Sequence, residues 1–206
     1  MATSSEGRAV DRHDWHSPGY VDEWITRDRQ RDEERRKRLR DMLSYPPYPA
    51  NAEITVLDVG GGYGVVSEEV LRAFPCARVT LQDYSQPMLD RAKERLASYG
   101  GQVQYAAGDL REPGWVLQVG GPFDLVVSAI AIHNLRDAAA IAACYRAIAG
   151  LVKPDGVFLD YDLFDLIGGL DQQLRTIENA GFAAVGCIWQ QPPLAIIRAR
   201  EPRGAA

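Results

Sequence analysis

Residues 54–64 constrain the fold of this chain more than any other stretch. Ile54-Thr55-Val56-Leu57-Asp58-Val59 is a short apolar run that passes directly into Gly60-Gly61-Gly62-Tyr63-Gly64. An apolar run bounded by glycines reads as a strand buried on both faces, the habit of parallel sheets. Residues 65–74 then carry the spacing of an amphipathic helix. Strand, glycine loop and helix in that order form the opening unit of an α/β sheet. The glycines let the backbone turn sharply and approach a ligand closely.

The pattern repeats downstream. Strands are expected at 78–82, 103–106, 123–128 and 157–161, and helices at 86–99, 137–151 and 170–180. Lys153-Pro154-Asp155-Gly156 reads as a turn, and Gly181 as a helix C-cap. Segments 183–189 and 194–200 straddle Gln190-Gln191-Pro192-Pro193, which predicts a closing hairpin. Such alternation predicts a doubly wound α/β fold, with a mostly parallel sheet and helices on both faces. Residues 1–50 differ: they are polar and charge-rich, and they end at Tyr45-Pro46-Pro47-Tyr48-Pro49, which cannot continue a helix. The expected organisation is an N-terminal helical arm over 1–50 and one α/β domain over 51–206.

Composition narrows the function classes. A net charge of -5 disfavours bulk binding to nucleic acid, which usually needs a basic face. No apolar run approaches the roughly 20 residues of a membrane helix, and Met1 to Asp14 lacks an apolar signal core. A cytoplasmic protein with no membrane partner is expected. Cys76, Cys144 and Cys187 are few, odd in number and far apart, which argues against a disulfide framework or a cysteine zinc site.

The glycine spacing discriminates between cofactors. Gly60, Gly62 and Gly64 give G-x-G-x-G, and Val65 stands where the dinucleotide pattern places its third glycine. That disfavours a nicotinamide oxidoreductase, and no GK[ST] ending marks a P-loop. Asp83 ends the second expected strand, 21 residues beyond Gly62, placed to accept both hydroxyls of a ribose. Ser85 is a ready N-cap for the next helix, which leaves Asp83 for a ligand. Gly108-Asp109-Leu110 follows the third strand. Asp109 is suited to an exocyclic amine of adenine, or is an ordinary loop acid. Asp160, Asp162 and Asp165 read as solvated loop acids, so no metal site is expected.

In this order and spacing the pieces resemble the class I S-adenosylmethionine-dependent methyltransferase family, over residues 53–201. Phe123 to Ser128, Ile132-His133-Asn134-Leu135 and Leu151 to Gly156 carry the rest of the likeness. The resemblance implies a Rossmann-like methyltransferase fold of seven strands, the last antiparallel, with S-adenosyl-L-methionine as cofactor. It implies a binding set of Asp58, Gly60, Gly61, Gly62, Asp83, Tyr84, Met88, Gly108, Asp109, Leu110 and Ser128. Within it the glycine loop lies under the methionine part and Asp83 on the ribose. Tyr84 and Met88 flank the adenine, Asp109 lies near it, and Ser128 sits beside the sulfonium. Trp15 to Leu43 looks like the N-terminal helix of the trans-aconitate methyltransferase group, through Glu34-Arg35 and Arg40-Asp41-Met42-Leu43. That likeness has Tyr20, Trp24 and Arg35 closing over the cofactor, with Arg35 on its carboxylate. Ser17-Pro18 is in any case a helix start. Residues 27–40, with eight basic and four acidic side chains, read mostly as a solvated helix face.

The function expected is methyl transfer to a small-molecule acceptor at oxygen, nitrogen or carbon. The alternatives are a non-catalytic cofactor- or partner-binding module of the same fold, and a methyltransferase acting on protein or RNA. His133 follows the fourth strand at the ligand edge of the sheet, and its ordinary pKa suits a general base; the competing reading is a structural loop histidine. His16 and Tyr161 join it as candidate substrate contacts. Only Leu163 to Gly169 separates the fifth strand from the next helix, so a cap has no room there. Selectivity is left to residues 1–50, to the second subunit of a homodimer, or to an open groove.

Overall fold

Period-two alternation decides how the sheet is covered. Val56, Leu125, Val127 and Leu159 turn to one face, while Leu57, Val59, Val126 and Phe158 turn to the other. All eight are fully buried. The computed structural model describes residues 13–202. Its strands are β1 (Thr55–Val59), β2 (Arg78–Asp83), β3 (Val103–Ala107), β4 (Phe123–Ala129), β5 (Val152–Leu163), β6 (Phe182–Gln191) and β7 (Leu194–Pro202). They lie in the order β3-β2-β1-β4-β5-β7-β6. β1 to β5 pair in parallel, and β7 runs antiparallel to both β5 and β6. The expected seven-stranded, doubly wound sheet is therefore present, with its last strand antiparallel. The winding reverses between β1 and β4, so their C-terminal ends form the switch-point crevice where such sheets bind ligands.

The helices are α1 (Pro18–Asp28), α2 (Asp32–Leu43), α3 (Val65–Ala73), α4 (Gln86–Arg95), α5 (Trp115–Val119), α6 (Ala138–Leu151) and α7 (Leu170–Asn179). Their starts follow the caps. Ser17 accepts the Tyr20 N–H ahead of Pro18, Ser85 accepts the Met88 N–H, and Asp137 accepts the Ala140 N–H. Among the described residues no helix is long and apolar enough to cross a membrane.

The structure corrects four expectations of local structure. The arm is two helices rather than one, divided by a 3-10 turn at Arg29–Arg31, where the run of charge offers no apolar stripe to continue. The helix expected over 86–99 ends at Arg95 and passes into 3-10 turns. Residues 153–156 form an irregularity inside β5, because Phe123 pairs Val152 while Leu125 already pairs Val157. The short α5 was not expected at all, since five residues are too few to show a period.

The arm docks by very few side chains. α2 buries Leu39, Met42 and Leu43 on the core face shared with α3 and α4, spaced i, i+3 and i+4. Burying each contributes about 1.5–3 kcal/mol. Arg36 reaches across to Glu68 and Glu69 of α3 at 2.8 and 2.5 Å. Val21 and Ile25 anchor α1 in the same core.

Candidate active site

The glycine loop is held by backbone donors. Gly60 N–H donates to Gln82 Oε1 at 3.0 Å, Gly61 N–H to the Gln82 carbonyl at 2.9 Å, and Gly62 N–H to Asp83 Oδ2 at 2.9 Å. Gln82, at the end of β2, also donates from Nε2 to the Gly108 carbonyl at 2.5 Å, so one buried amide ties the first and third ligand loops together. Gly60 has φ +64, and a Cβ there would stand 2.5 Å from Ala131 Cβ. Only glycine fits, on conformational and steric grounds alike. Asp58 lies beneath the loop, fully buried, accepting the Ser67 hydroxyl at 2.6 Å. Burial pushes its carboxyl up to about 7, against the hydrogen bonding from Ser67.

Asp83 stands at the C-terminal end of β2 and is 8% exposed. Oδ1 accepts the Ser85 N–H at 2.8 Å, and Oδ2 the Gly62 N–H. Burial raises its pKa, and N–H bonds from Ser85, Gly62 and Tyr84 oppose the shift. Three backbone N–H bonds leave the carboxylate acceptor capacity for a further donor, and it lines a cavity of about 540 Å³. That volume suits a small organic ligand.

One wall of the cavity is Gly60, Gly61, Gly62, Val65, Asp83, Tyr84 and Met88; the other is the arm, through His13, Trp15, Tyr20, Trp24, Arg27, Asp28 and Arg35. Three aromatic rings of the arm pack edge to face, Trp15 against Tyr20 at 5.5 Å and against Trp24 at 5.3 Å. Tyr63, inside the glycine loop, fastens this wall. Its hydroxyl donates to Asp28 Oδ2 at 2.8 Å and accepts from Arg35 Nη2 at 2.8 Å, while Arg35 pairs with Asp28 at 2.6 Å. Asp22 and Arg91 join α1 to α4 in a two-pronged bridge at 2.7 and 2.8 Å.

The far end of the cavity is built by Asp109, Leu110 and Arg111 after β3 and by residues 129–136 after β4. Arg111 donates from Nη2 to the Asn134 carbonyl at 3.2 Å. Ile130 and Arg136 take φ values of 54° and 55°, conformations that a β-branched residue seldom adopts and that cluster at functional sites. His133, on the 3-10 turn Ile132–Leu135, faces the cavity and is otherwise buried.

A family model described as a methyltransferase domain matches residues 56–156. Those residues carry a methyltransferase domain, and the family it resembles is the class I, S-adenosylmethionine-dependent one. It is 32% identical over 110 residues to a malonyl-[acyl-carrier protein] O-methyltransferase of Magnetococcus marinus, covering 53% of this chain and 38% of that protein. The match thus spans about two fifths of that relative's length. Among solved structures it resembles an O-methyltransferase family protein from Burkholderia thailandensis, with a TM-score of 0.72, 21% identity, and 94% and 62% of the two chains covered. It also resembles the N-methyltransferase NodS of Bradyrhizobium japonicum, solved with S-adenosyl-L-homocysteine. There the TM-score is 0.65 and the identity 19%, and 83% and 87% of the chains are covered.

In this methyltransferase domain the residues expected at the cofactor divide into two groups. Tyr20, Trp24, Arg35, Gly60, Gly61, Gly62, Asp83, Tyr84, Met88, Asp109 and Leu110 all line the cavity. Asp58, Gly108 and Ser128 act from behind it. Ser128 is fully buried, its hydroxyl donating to the Val59 carbonyl at 3.2 Å, so it braces β4 on β1 instead of facing a ligand. The Gly108 carbonyl is taken by Gln82, and a Cβ on Gly108 would meet Trp115 Cβ at 3.0 Å.

The substrate set is corrected more deeply. Tyr161 is buried in the core, edge to face with Trp189 at 6.1 Å, because its register in β5 points it to the α2 face. His16 stands exposed against Tyr84 at 5.2 Å, and it is His13 that enters the cavity wall. Asp160 and Asp162 are fully buried instead of solvated; only Asp165 of the three is exposed. Among the described residues no cluster of acids, histidines and cysteines is arranged to hold a metal. The sequence reading also passed over Gln82 and Tyr63. A polar residue ending an apolar strand, and an aromatic lodged among glycines, were the available signals.

Proposed function

We propose that this chain binds S-adenosylmethionine in the cavity and transfers its methyl group to a small-molecule acceptor. The observation that carries the reading is Asp83, a buried carboxyl group at the end of β2 that lines the cavity beside the glycine loop and keeps acceptor capacity for a further donor. The wall chemistry fits this cofactor. Asp83 suits a ribose diol, Tyr84 and Met88 offer flat and soft apolar surface to a base, and at Gly62 a Cβ would stand in nearly open space, 3.9 Å from Met88 Sδ. Val65 and Val66 line the cavity at the start of α3, presenting methyl groups where a pyrophosphate would want bare backbone N–H. Arg35, held by Asp28 and Tyr63, lines the cavity and sets a positive charge there that suits a carboxylate.

When bound, the cofactor supplies an electrophilic methyl on a sulfonium, whose carbon–sulfur electron pair stays on the sulfur. The protein's share is alignment, which in a displacement supplies much of the rate. The aromatic wall of the arm excludes water from the reacting end. Calorimetry with S-adenosylmethionine, S-adenosylhomocysteine and NAD tests the reading. Binding of the first two and none of NAD is expected; tight NAD binding with no response to S-adenosylmethionine overturns it.

A further inference from the structure

We propose that His133 and Asp162 form a base unit and that the acceptor is therefore a hydroxyl, with Asp162 as the positioning residue. This inference rests on the methyltransferase reading above. Asp162 is fully buried near the end of β5 and lies behind His133 as seen from the cavity. Its Oδ1 contacts His133 Nδ1 at 2.5 Å and accepts the Leu163 N–H at 2.8 Å, and its Oδ2 accepts the His133 backbone N–H at 2.9 Å. A carboxylate already taking two backbone N–H bonds has only acceptor capacity to offer the ring. Nδ1 therefore carries the hydrogen, and Nε2 carries the lone pair. Nε2 makes no hydrogen bond to any of the described residues, and its ring lines the cavity.

Asp160, fully buried on the same strand, accepts the Tyr145 hydroxyl at 2.8 Å. Burial and the Asp162 charge drive the Asp160 carboxyl well above its ordinary range, so it stays protonated. Other titratable or charged groups on elements around His133 are Asp137, Cys144 and Arg146 at α6, Lys153, Asp155 and Tyr161 on β5, Arg111 and Asp109 on the β3 loop, Arg136 on its own loop, and the exposed Asp165.

A protonated imidazole formed at Nε2 thus finds a carboxylate on its opposite edge. As the acceptor oxygen takes up the methyl, its proton passes to Nε2. The carbon–sulfur pair stays on sulfur, and the imidazolium later returns the proton to water. A neutral amine or a thiolate has no need of such a base; an alcohol or phenol does.

Two measurements on the full chain test this. Long-range proton–nitrogen correlation spectra of the three histidines, assigned with His133→Gln, read the tautomer without any substrate. Nδ1–H with bare Nε2 is expected at His133, and an Nε2–H tautomer overturns the proposal. The second measurement offers labelled S-adenosylmethionine with a panel of simple phenols, alcohols, amines and thiols. Methylation of hydroxyl compounds, with kcat rising through the histidine titration, is expected. Asp162→Asn should lower kcat about 10²–10⁴-fold and move that limb to lower pH, while S-adenosylhomocysteine binds unchanged. Cofactor binding with no hydroxyl methylated overturns the hydroxyl assignment. An unmoved limb in a folded Asp162→Asn overturns the positioning role, and should that variant fail to fold, the wild-type tautomer decides. Absence of cofactor binding is the separate failure of the methyltransferase reading.

Discussion

The two walls of the cavity are held by different physics. The glycine-loop wall is fixed by backbone donors on Gln82 and Asp83, by glycine conformations, and by a carboxylate buried under it. The arm wall is fixed by a few buried side chains and by ion pairs, of which the Arg91–Asp22 pair is at the surface. The first wall is tied at several points by hydrogen bonds to buried groups. The second keeps contacts that water and salt can replace, so it is the part suited to open and close.

The contrast breaks most severely at Gly60. Gly60→Val sets a branched side chain at φ +64 with its Cβ 2.5 Å from Ala131 Cβ. The backbone strain alone costs on the order of 1–3 kcal/mol, and the clash must then move the loop. Loss of detectable S-adenosylhomocysteine binding in calorimetry is expected. Wild-type affinity in the variant would show that the loop is not the cofactor wall.

Asp58 sharpens the same side through stability. Its carboxyl sits at about 7 in the fold against an ordinary 3.8. The folded state therefore holds a proton that the unfolded chain has lost between those values, and stability falls as pH rises through that window. The slope from this group is at most about 1.4 kcal/mol per pH unit, and Asp83, also raised by burial, adds in the same direction. Denaturant unfolding of Asp58→Asn between pH 4 and 7 should give a visibly flatter profile. An unchanged slope would mean that Asp58 is ionised in the fold.

At the ligand itself, Asp83→Ala should weaken S-adenosylhomocysteine binding by about 1–3 kcal/mol, the cost of leaving buried donors unpaired. The Gly62 N–H loses its partner as well, so thermal stability should be measured in parallel. A variant that binds as tightly as wild type removes the ribose assignment.

How far the sequence could be read follows the same division. The succession of strands and helices, the glycine loop, the place of Asp83 at a strand end and the helix starts at Ser17, Ser85 and Asp137 were legible, because each rests on local backbone chemistry. Where side chains meet across the sheet, the sequence was silent. Nothing local distinguishes Asp162, buried behind His133, from a solvated loop acid. The register of β5 makes that difference, burying Asp160, Tyr161 and Asp162 alike. The resemblance put Ser128 beside the sulfonium, and the structure buries it instead with its hydroxyl on the Val59 carbonyl, a contact across the sheet of the same kind. Arg91 and Asp22 lie 69 residues apart, and no spacing rule joins them.

The arm supplies the smallest expected effects and the closest test of the contrast. Backbone hydrogen exchange over α1 and α2 should slow when S-adenosylhomocysteine saturates the protein, since Trp15, Tyr20 and Trp24 line the occupied cavity. Tyr63→Phe removes the hydroxyl shared by Asp28 and Arg35 and should speed exchange most, because that cluster is partly buried. Arg91→Ala removes the exposed bridge to Asp22 together with the exposed Arg91–Glu94 pair within α4, and exposed pairs contribute little. Its exchange should be slightly faster than wild type at low salt and indistinguishable from it at high salt, where the bridge is already screened. Exchange in the glycine loop should not respond to either change. If Arg91→Ala instead loosens the arm as much as Tyr63→Phe at every salt concentration, the bridge to α4 and not the Tyr63 cluster holds the arm, and the division between the two walls must be redrawn around α1.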